Sequence, residues 1–211
     1  RNTSKTVPEL GKTTYEYDLK PENALSEAVK KQAKVSEVVE RTKDPKGNVT
    51  EKVYDEVGRM HLVAHDGDVT EYKYDTNGNR FRTIYPSGTT QTYVYDTKNQ
   101  VTKLINADKS GKVLSSYQYA YDEAGNQIKK VEAKGTTTYV YNEIKQLTKV
   151  TEPDGKETSY LYDAAGNRIK ETILLKAGIK SELIYKYNKQ NRLLSTFATG
   201  GTQTLYYYDG N

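Results

Sequence analysis

Cysteine and tryptophan are both absent from this 211-residue chain, and methionine occurs once. Without a thiol there is no disulfide, no thiolate metal ligand and no cysteine nucleophile. The redox compartment stays open, since secreted chains often lack cysteine as well. No serine sits in a Gly-x-Ser-x-Gly elbow, so the sequence carries no sign of that acyl-transfer arrangement. Apolar runs long enough to cross a bilayer are missing, and so is a signal-peptide pattern. Neither sign of charge dominates, because 32 basic and 28 acidic side chains leave a net +4. The basic residues are spread along the chain, whereas a nucleic-acid footprint needs them on one face. Aliphatic material is scarce too: 35% of residues are apolar and mean hydropathy is -0.89.

Such a balance would suggest disorder in a chain poor in aromatics. Here there are 20 tyrosines against 2 phenylalanines. Tyrosine favours strands and suits a half-dry sheet face, where the ring packs and the hydroxyl finds water or a polar partner. Ordered β-structure is therefore expected, held by ladders and tyrosine packing rather than by an aliphatic core.

The tyrosines recur. Tyr-x-Tyr-Asp occurs at Tyr15–Asp18, Tyr72–Asp75, Tyr93–Asp96, Tyr119–Asp122, Tyr160–Asp163 and Tyr206–Asp209, with variants ending at Asp55, Asn142 and Asn188. From Asp55 onward the intervals between these landmarks are 20, 21, 26, 20, 21, 25 and 21 residues. Gly-Asn or a variant follows three residues after each landmark, as at Gly78-Asn79, Gly125-Asn126 and Gly166-Asn167. A further glycine marks the midpoint between landmarks, for example Gly47, Gly88, Gly135 and Gly155. Each repeat thus has two turn signals and two extended runs, which reads as tandem antiparallel β-hairpins. In the Asp-x-x-Gly-Asn turn the carboxylate is expected to accept from the backbone two residues on, and glycine to take positive φ. Residues i and i+2 of Tyr-x-Tyr share a face. The strand after the turn is less regular, with apolar residues three apart such as Met60 and Val63 or Phe81 and Ile84. Either a bulge separates them or the strand feeds both faces.

Two hairpins are longer, with tips near Gly111 and Gly178 and both arms extended together. They are expected to project as a rim. About fifteen strands exceed what an open sheet holds without curling, so a continuous curved sheet follows. The first 43 residues break the period. Leu25, Ala28, Val29 and Ala33 fit a helical stripe, giving either a short helix over 23–34 or a strand there. Residues 1–43 then form an irregular N-terminal segment and 44–211 the hairpin array. The chain opens on Arg1 and stops within a motif at Asp209-Gly210-Asn211, so it reads as an excerpt whose targeting signals lie elsewhere.

The phrase Tyr-x-Tyr-Asp-x-x-Gly-Asn-Arg, nearly whole at Tyr160–Arg168, resembles the YD-repeat or Rhs family. The resemblance covers residues 44–211 well. The lysine-rich, cysteine-free composition looks most like the wall-associated polymorphic toxins of Gram-positive bacteria. The resemblance implies a sheet that spirals into a hollow shell around a C-terminal toxin domain lying outside this fragment, in a secreted or cell-wall protein. The partners implied are the adjacent repeats and the enclosed toxin, with no enzyme activity, cofactor or membrane insertion in this piece. The alternative is a cell-surface adhesion or carbohydrate-binding module using exposed tyrosine faces such as Tyr93 and Tyr95.

No catalytic, cofactor-binding or metal residue is assigned. His61 and His65, four apart, would share a strand face and could approach a metal with Asp66 or Asp68, but ordinary surface histidines are the stronger reading. Asp75, Asn77 and Asn79 resemble a calcium loop only in part, because Gly78 is in the fourth position and Pro86 in the twelfth. The Tyr-Asp ladder is read mainly as packing plus turn formation.

Overall fold

The computed structural model describes residues 3–178, 180–201 and 203–209. Gly210 and Asn211, which close the last repeat phrase, lie outside the described residues. Among the described residues, eighteen strands are arranged as antiparallel hairpins. Along the chain they are β1 (Ser4–Val7), β2 (Gly11–Leu19), β3 (Val38–Lys43), β4 (Val49–Tyr54), β5 (Met60–His65), β6 (Asp68–Tyr74), β7 (Arg80–Ile84), β8 (Thr90–Tyr95) and β9 (Val101–Ala107). There follow β10 (Val113–Tyr121), β11 (Gln127–Glu132), β12 (Gly135–Tyr141), β13 (Leu147–Thr151) and β14 (Glu157–Tyr162). The last four are β15 (Arg168–Leu174), β16 (Lys180–Tyr187), β17 (Leu193–Ala198) and β18 (Gln203–Leu205). Strands pair with their sequence neighbours, so the topology is a meander of hairpins. The chain divides into two compact units, residues 1–116 and 117–211, with the boundary inside β10. Residues 1–43 therefore belong to the same unit as the repeats that follow them, because β3 pairs with β4 through six residues.

Within the first unit, the 23–34 region is a short 3-10 turn (Pro21–Asn23) followed by a short helix, α1 (Glu27–Gln32). Ser26 caps it, its hydroxyl accepting from Val29 N–H. This segment covers one face of β3–β5. Val29 and Ala24 pack there with Val39, Val53, Leu62 and Ala64 in a small aliphatic core. The expectation that cohesion would come without such a core is corrected here. Tyrosine packing prevails elsewhere, but a helix laid on a sheet buries Val29, Val39, Val53 and Leu62 completely.

A buried charge network fixes that segment. Glu51 is 1% exposed, and its carboxylate accepts from the N–H groups of Leu25 and Ser26 at 2.8 and 2.9 Å. The same carboxylate takes Arg41 Nε at 2.9 Å, while Arg41 Nη1 reaches Glu16 and Nη2 donates to the Asn23 carbonyl. Burying a carboxylate is costly unless every lone pair finds a donor, and this one is well supplied.

The second unit carries four complete turn phrases and their hairpins in β10–β18. Its long hairpin β15–β16 ends in exposed residues at Leu175–Gly178, and a Cβ built on Gly178 would meet nothing within 4 Å. In the first unit, the loop Lys109–Lys112 after β9 is likewise exposed. Both tips are exposed, so neither is packed inside the sheet.

Candidate functional site: the tyrosine–aspartate repeat

Three devices recur in each repeat, and the first is the turn. At Asp75 the backbone N–H donates to the Asn79 carbonyl at 2.9 Å, and Gly78 N–H donates to the Asp75 carbonyl at 3.1 Å. That is a type I turn followed by a left-handed residue. The left-handed position is Gly58, Gly78, Gly125 or Gly166 in four repeats, Asn99 and Asn191 in two, and Lys145 in another. Asp75 Oδ1 accepts from the N–H groups of Asn77 and Asn79, and Oδ2 accepts from the Asn79 amide. Asp163 with Asn167, and Asp122 with Asn126, repeat the pattern. At Asp163 the Asn167 side chain and backbone donors hold the carboxyl below the ordinary carboxylate range. At Asp75 burial pushes the other way, and the donors of Asn79 and Asn77 outweigh it.

The second device is a β-bulge just after each turn. Tyr74 pairs with Arg80 while Lys73 pairs with Arg82, leaving Phe81 as the extra residue. The same shift leaves His61, Thr102, Ile128, Thr148, Ile169 and Leu194 unpaired in the other repeats. Of the two readings of the i, i+3 apolar pairs, the bulge is therefore the one realised. It also changes the partners of the tyrosines. Tyr93 faces Leu104, Tyr119 faces Lys130, Tyr139 faces Val150 and Tyr160 faces Glu171. Lys129 sits on the opposite face, across from Ala120.

The third device joins the first two. A bulge disrupts the ladder locally, and the second tyrosine of the next repeat donates its hydroxyl to the carbonyl just before the bulged residue. Six such bonds run from Tyr74 to Met60, Tyr95 to Arg80, Tyr141 to Gln127, Tyr162 to Leu147, Tyr187 to Arg168 and Tyr208 to Leu193, at 2.8–3.0 Å. Thr102 and Thr148, themselves bulged residues, donate their hydroxyls to the Val94 and Val140 carbonyls. Burial raises the hydroxyls of Tyr74, Tyr95 and Tyr141, keeping them protonated donors. Where a phrase carries an arginine, it closes the unit: Arg80 lies 5.3 and 5.8 Å from the Tyr72 and Tyr93 rings, and Arg168 lies 5.4 and 4.9 Å from those of Tyr160 and Tyr185. Guanidinium groups thus occupy the ring faces that a stacking sugar would need. The period marks the tyrosines in the sequence; nothing local predicts that their hydroxyls serve the preceding repeat.

The two histidines part company. Because His61 is bulged, it joins the helix-covered side, where Nδ1 lies 2.8 Å from Glu37 Oε1 without hydrogen-bond alignment and Nε2 lies 3.6 Å from Glu71. His65 pairs across from Thr50 and meets its hydroxyl at 2.9 Å, on the face opposite Leu62 and Ala64. The shared face expected from their spacing fails for that reason. Asp66, exposed at the hairpin tip, accepts from Val49 N–H at 3.0 Å, and Asp68 opens β6. Among the described residues, no group of three or more His, Asp or Glu is arranged to hold a metal ion. No helix among them is long and apolar enough to cross a membrane.

Comparison with known proteins agrees with this architecture. The family model described as Teneurin YD-shell matches residues 9–211. The tRNA3(Ser)-specific nuclease WapA of Bacillus spizizenii is 31% identical over 170 residues, which is 75% of this chain and 7% of that protein. The tRNA nuclease WapA of Bacillus subtilis strain 168 is 31% identical over 161 residues, covering 74% of this chain and 6% of the relative. The chain thus spans only a small part of the length of these relatives. Among solved structures, TcdB2-TccC3 without its hypervariable C-terminal region superposes with a TM-score of 0.62 at 16% identity, over 89% of this chain and 12% of that one. The Photorhabdus luminescens Tc holotoxin pore gives a TM-score of 0.57 at 15% identity, over 95% and 14%. Repeat phrase, hairpin meander and family match converge: the chain belongs to the YD-repeat (Rhs) family and is a stretch of its YD-shell.

Proposed function

We propose that this chain is a non-catalytic wall segment of a secreted or cell-wall-associated polymorphic toxin, and that it helps to enclose a C-terminal toxin domain lying outside this fragment. The observation that carries the reading is the repeated tyrosine-to-bulge hydrogen bond. Each repeat satisfies a backbone group of the one before it, so the wall is stitched by nearest-neighbour contacts and extends by adding identical units. A sheet whose polar groups are used internally offers little to proteases or chaperones, which suits a container. In this reading residues 1–43 form an entry segment tied down by Glu51 and Arg41, and 44–211 form the wall proper. Adhesion to cell-surface carbohydrate is the less favoured role, because Arg80 and Arg168 already lie over the rings of Tyr72, Tyr93, Tyr160 and Tyr185.

The test uses the parent polypeptide with its downstream sequence. In limited proteolysis, the downstream domain should resist digestion while the wall is intact. It should become cleavable when the wall is weakened by replacing Tyr162, Tyr187 and Tyr208 together with alanine. Equal digestion of both forms would refute enclosure.

A further inference from the structure

The face opposite the tyrosines in the second unit combines exposed aliphatic residues with an excess of lysine. By strand register, this face carries the middle residue of each Tyr-x-Tyr phrase. Val140 is 51% exposed, Leu161 57%, Ile184 38% and Phe197 45%. They alternate with lysines across the strands: Val140 pairs with Lys149, Leu161 with Lys170, Lys170 with Ile184, and Ile184 with Phe197. Register places five lysines there, at 129, 149, 170, 180 and 186, against two glutamates, 157 and 182. Glu157 is taken by Lys149 at 2.7 Å, and Glu182 is shared between Lys170 and Lys180 at 2.9 and 2.6 Å. Lys129 and Lys186 have no ion-pair partner among the described residues. On the tyrosine face of the same unit the charges balance, as with Lys130 and Glu132 or Arg168 and Glu171.

We infer that this face is a docking surface for a polypeptide segment in which apolar residues alternate with carboxylates. Exposed aliphatic side chains in a row mark an interaction surface, and unneutralised lysines beside them select a negatively charged partner. A polyanion without apolar groups would satisfy the lysines and leave Leu161, Ile184 and Phe197 wet. A purely apolar segment would do the reverse and desolvate the lysines without compensation. The first unit supplies a precedent within this chain. There the face opposite Tyr72 and Tyr74 is covered by segment 21–37, which brings Val29 and Ala24 onto the aliphatic residues. It also presents an acceptor to Arg41 through the Asn23 carbonyl and the Glu37 carboxylate to His61. The second unit has the same kind of surface and no such segment among its described residues. The inference rests on the shell reading only in taking the partner to be polypeptide, such as an enclosed chain.

The test is fluorescence anisotropy with the 211-residue chain and a short labelled peptide of alternating leucine and glutamate. Binding is expected, and it should weaken at least about tenfold, or about 1.4 kcal/mol, in the double variant Lys129→Glu, Lys186→Glu, which reverses the two lysines without ion-pair partners, and again in Leu161→Ser. Circular dichroism of both variants should match the parent, since the replaced side chains are largely exposed. Affinity should also fall as salt rises. Equal binding of a leucine–lysine peptide, equal binding of polyglutamate, or unchanged affinity in both variants would overturn the proposal. So would sedimentation showing that the face is already occupied by a second copy of the chain. Loss of peptide binding with protease protection retained would sink this inference alone; loss of protection with binding retained would sink enclosure alone.

Discussion

Replacing Tyr162 with phenylalanine isolates one atom of the repeat's design. The ring stays, so its packing is unchanged, and only the hydroxyl bond to the Leu147 carbonyl at 2.8 Å is lost. A neutral hydrogen bond contributes about 0.5–1.5 kcal/mol net, and stranding a half-buried acceptor moves the cost toward the middle of that range or above. We expect a loss of about 1 kcal/mol, which for a protein of this size lowers the melting midpoint by about 2–4 °C. Far-UV circular dichroism under thermal and urea denaturation reads both. Tyr93→Phe is the control, because that hydroxyl meets only the Gln91 side chain two residues away and bridges no neighbouring repeat. It should stay within about 0.5 kcal/mol of the parent. If Tyr162→Phe melted like the parent, or if Tyr93→Phe cost as much, the bulge carbonyl would not be what the second tyrosine is for.

Acid should unstitch the turns. Asp122 and Asp163 are held below the ordinary carboxylate range by Asn126 and Asn167, so their stabilisation is fully present above the unfolded value of about 3.9 and is lost as pH falls through the lower folded values. Asp163→Asn should therefore flatten the acid limb of a melting-temperature profile below about pH 4, and an unchanged limb would count against the assignment. Glu51→Ala should destabilise the first unit by roughly 3–5 kcal/mol, because it leaves Arg41 buried without its partner. Hydrogen exchange at the Ala33 amide, bonded to the Val29 carbonyl at 2.9 Å, should accelerate sharply; slow exchange in the variant would show that α1 holds without the network.

Much of the site was visible in the sequence because turn chemistry is local. Asp75, Gly78 and Asn79 contain the whole instruction for their turn within five residues, and the structure uses them as expected. Lys145 shows the limit of that rule: a lysine in the left-handed region has no intrinsic preference for it, and the Asn142 turn and flanking strands impose it. The bulge at Phe81 and its counterparts was one of two open readings, since a period of three fits a shifted register as well as a strand serving two faces. Resolving it required knowing which residue lay across from Tyr74. The same missing information misplaced His61 relative to His65.

By itself the sequence determined that paired extended segments of about 21 residues follow one another in a meander, because period, turn residues and tyrosine alternation act within one hairpin. Tertiary structure alone decided which carbonyl each tyrosine hydroxyl reaches, which face segment 21–37 covers, and that Glu51 and Arg41 are buried together. Those outcomes depend on surfaces contributed by distant or neighbouring repeats, and burial is a property of the assembled sheet rather than of any residue within it.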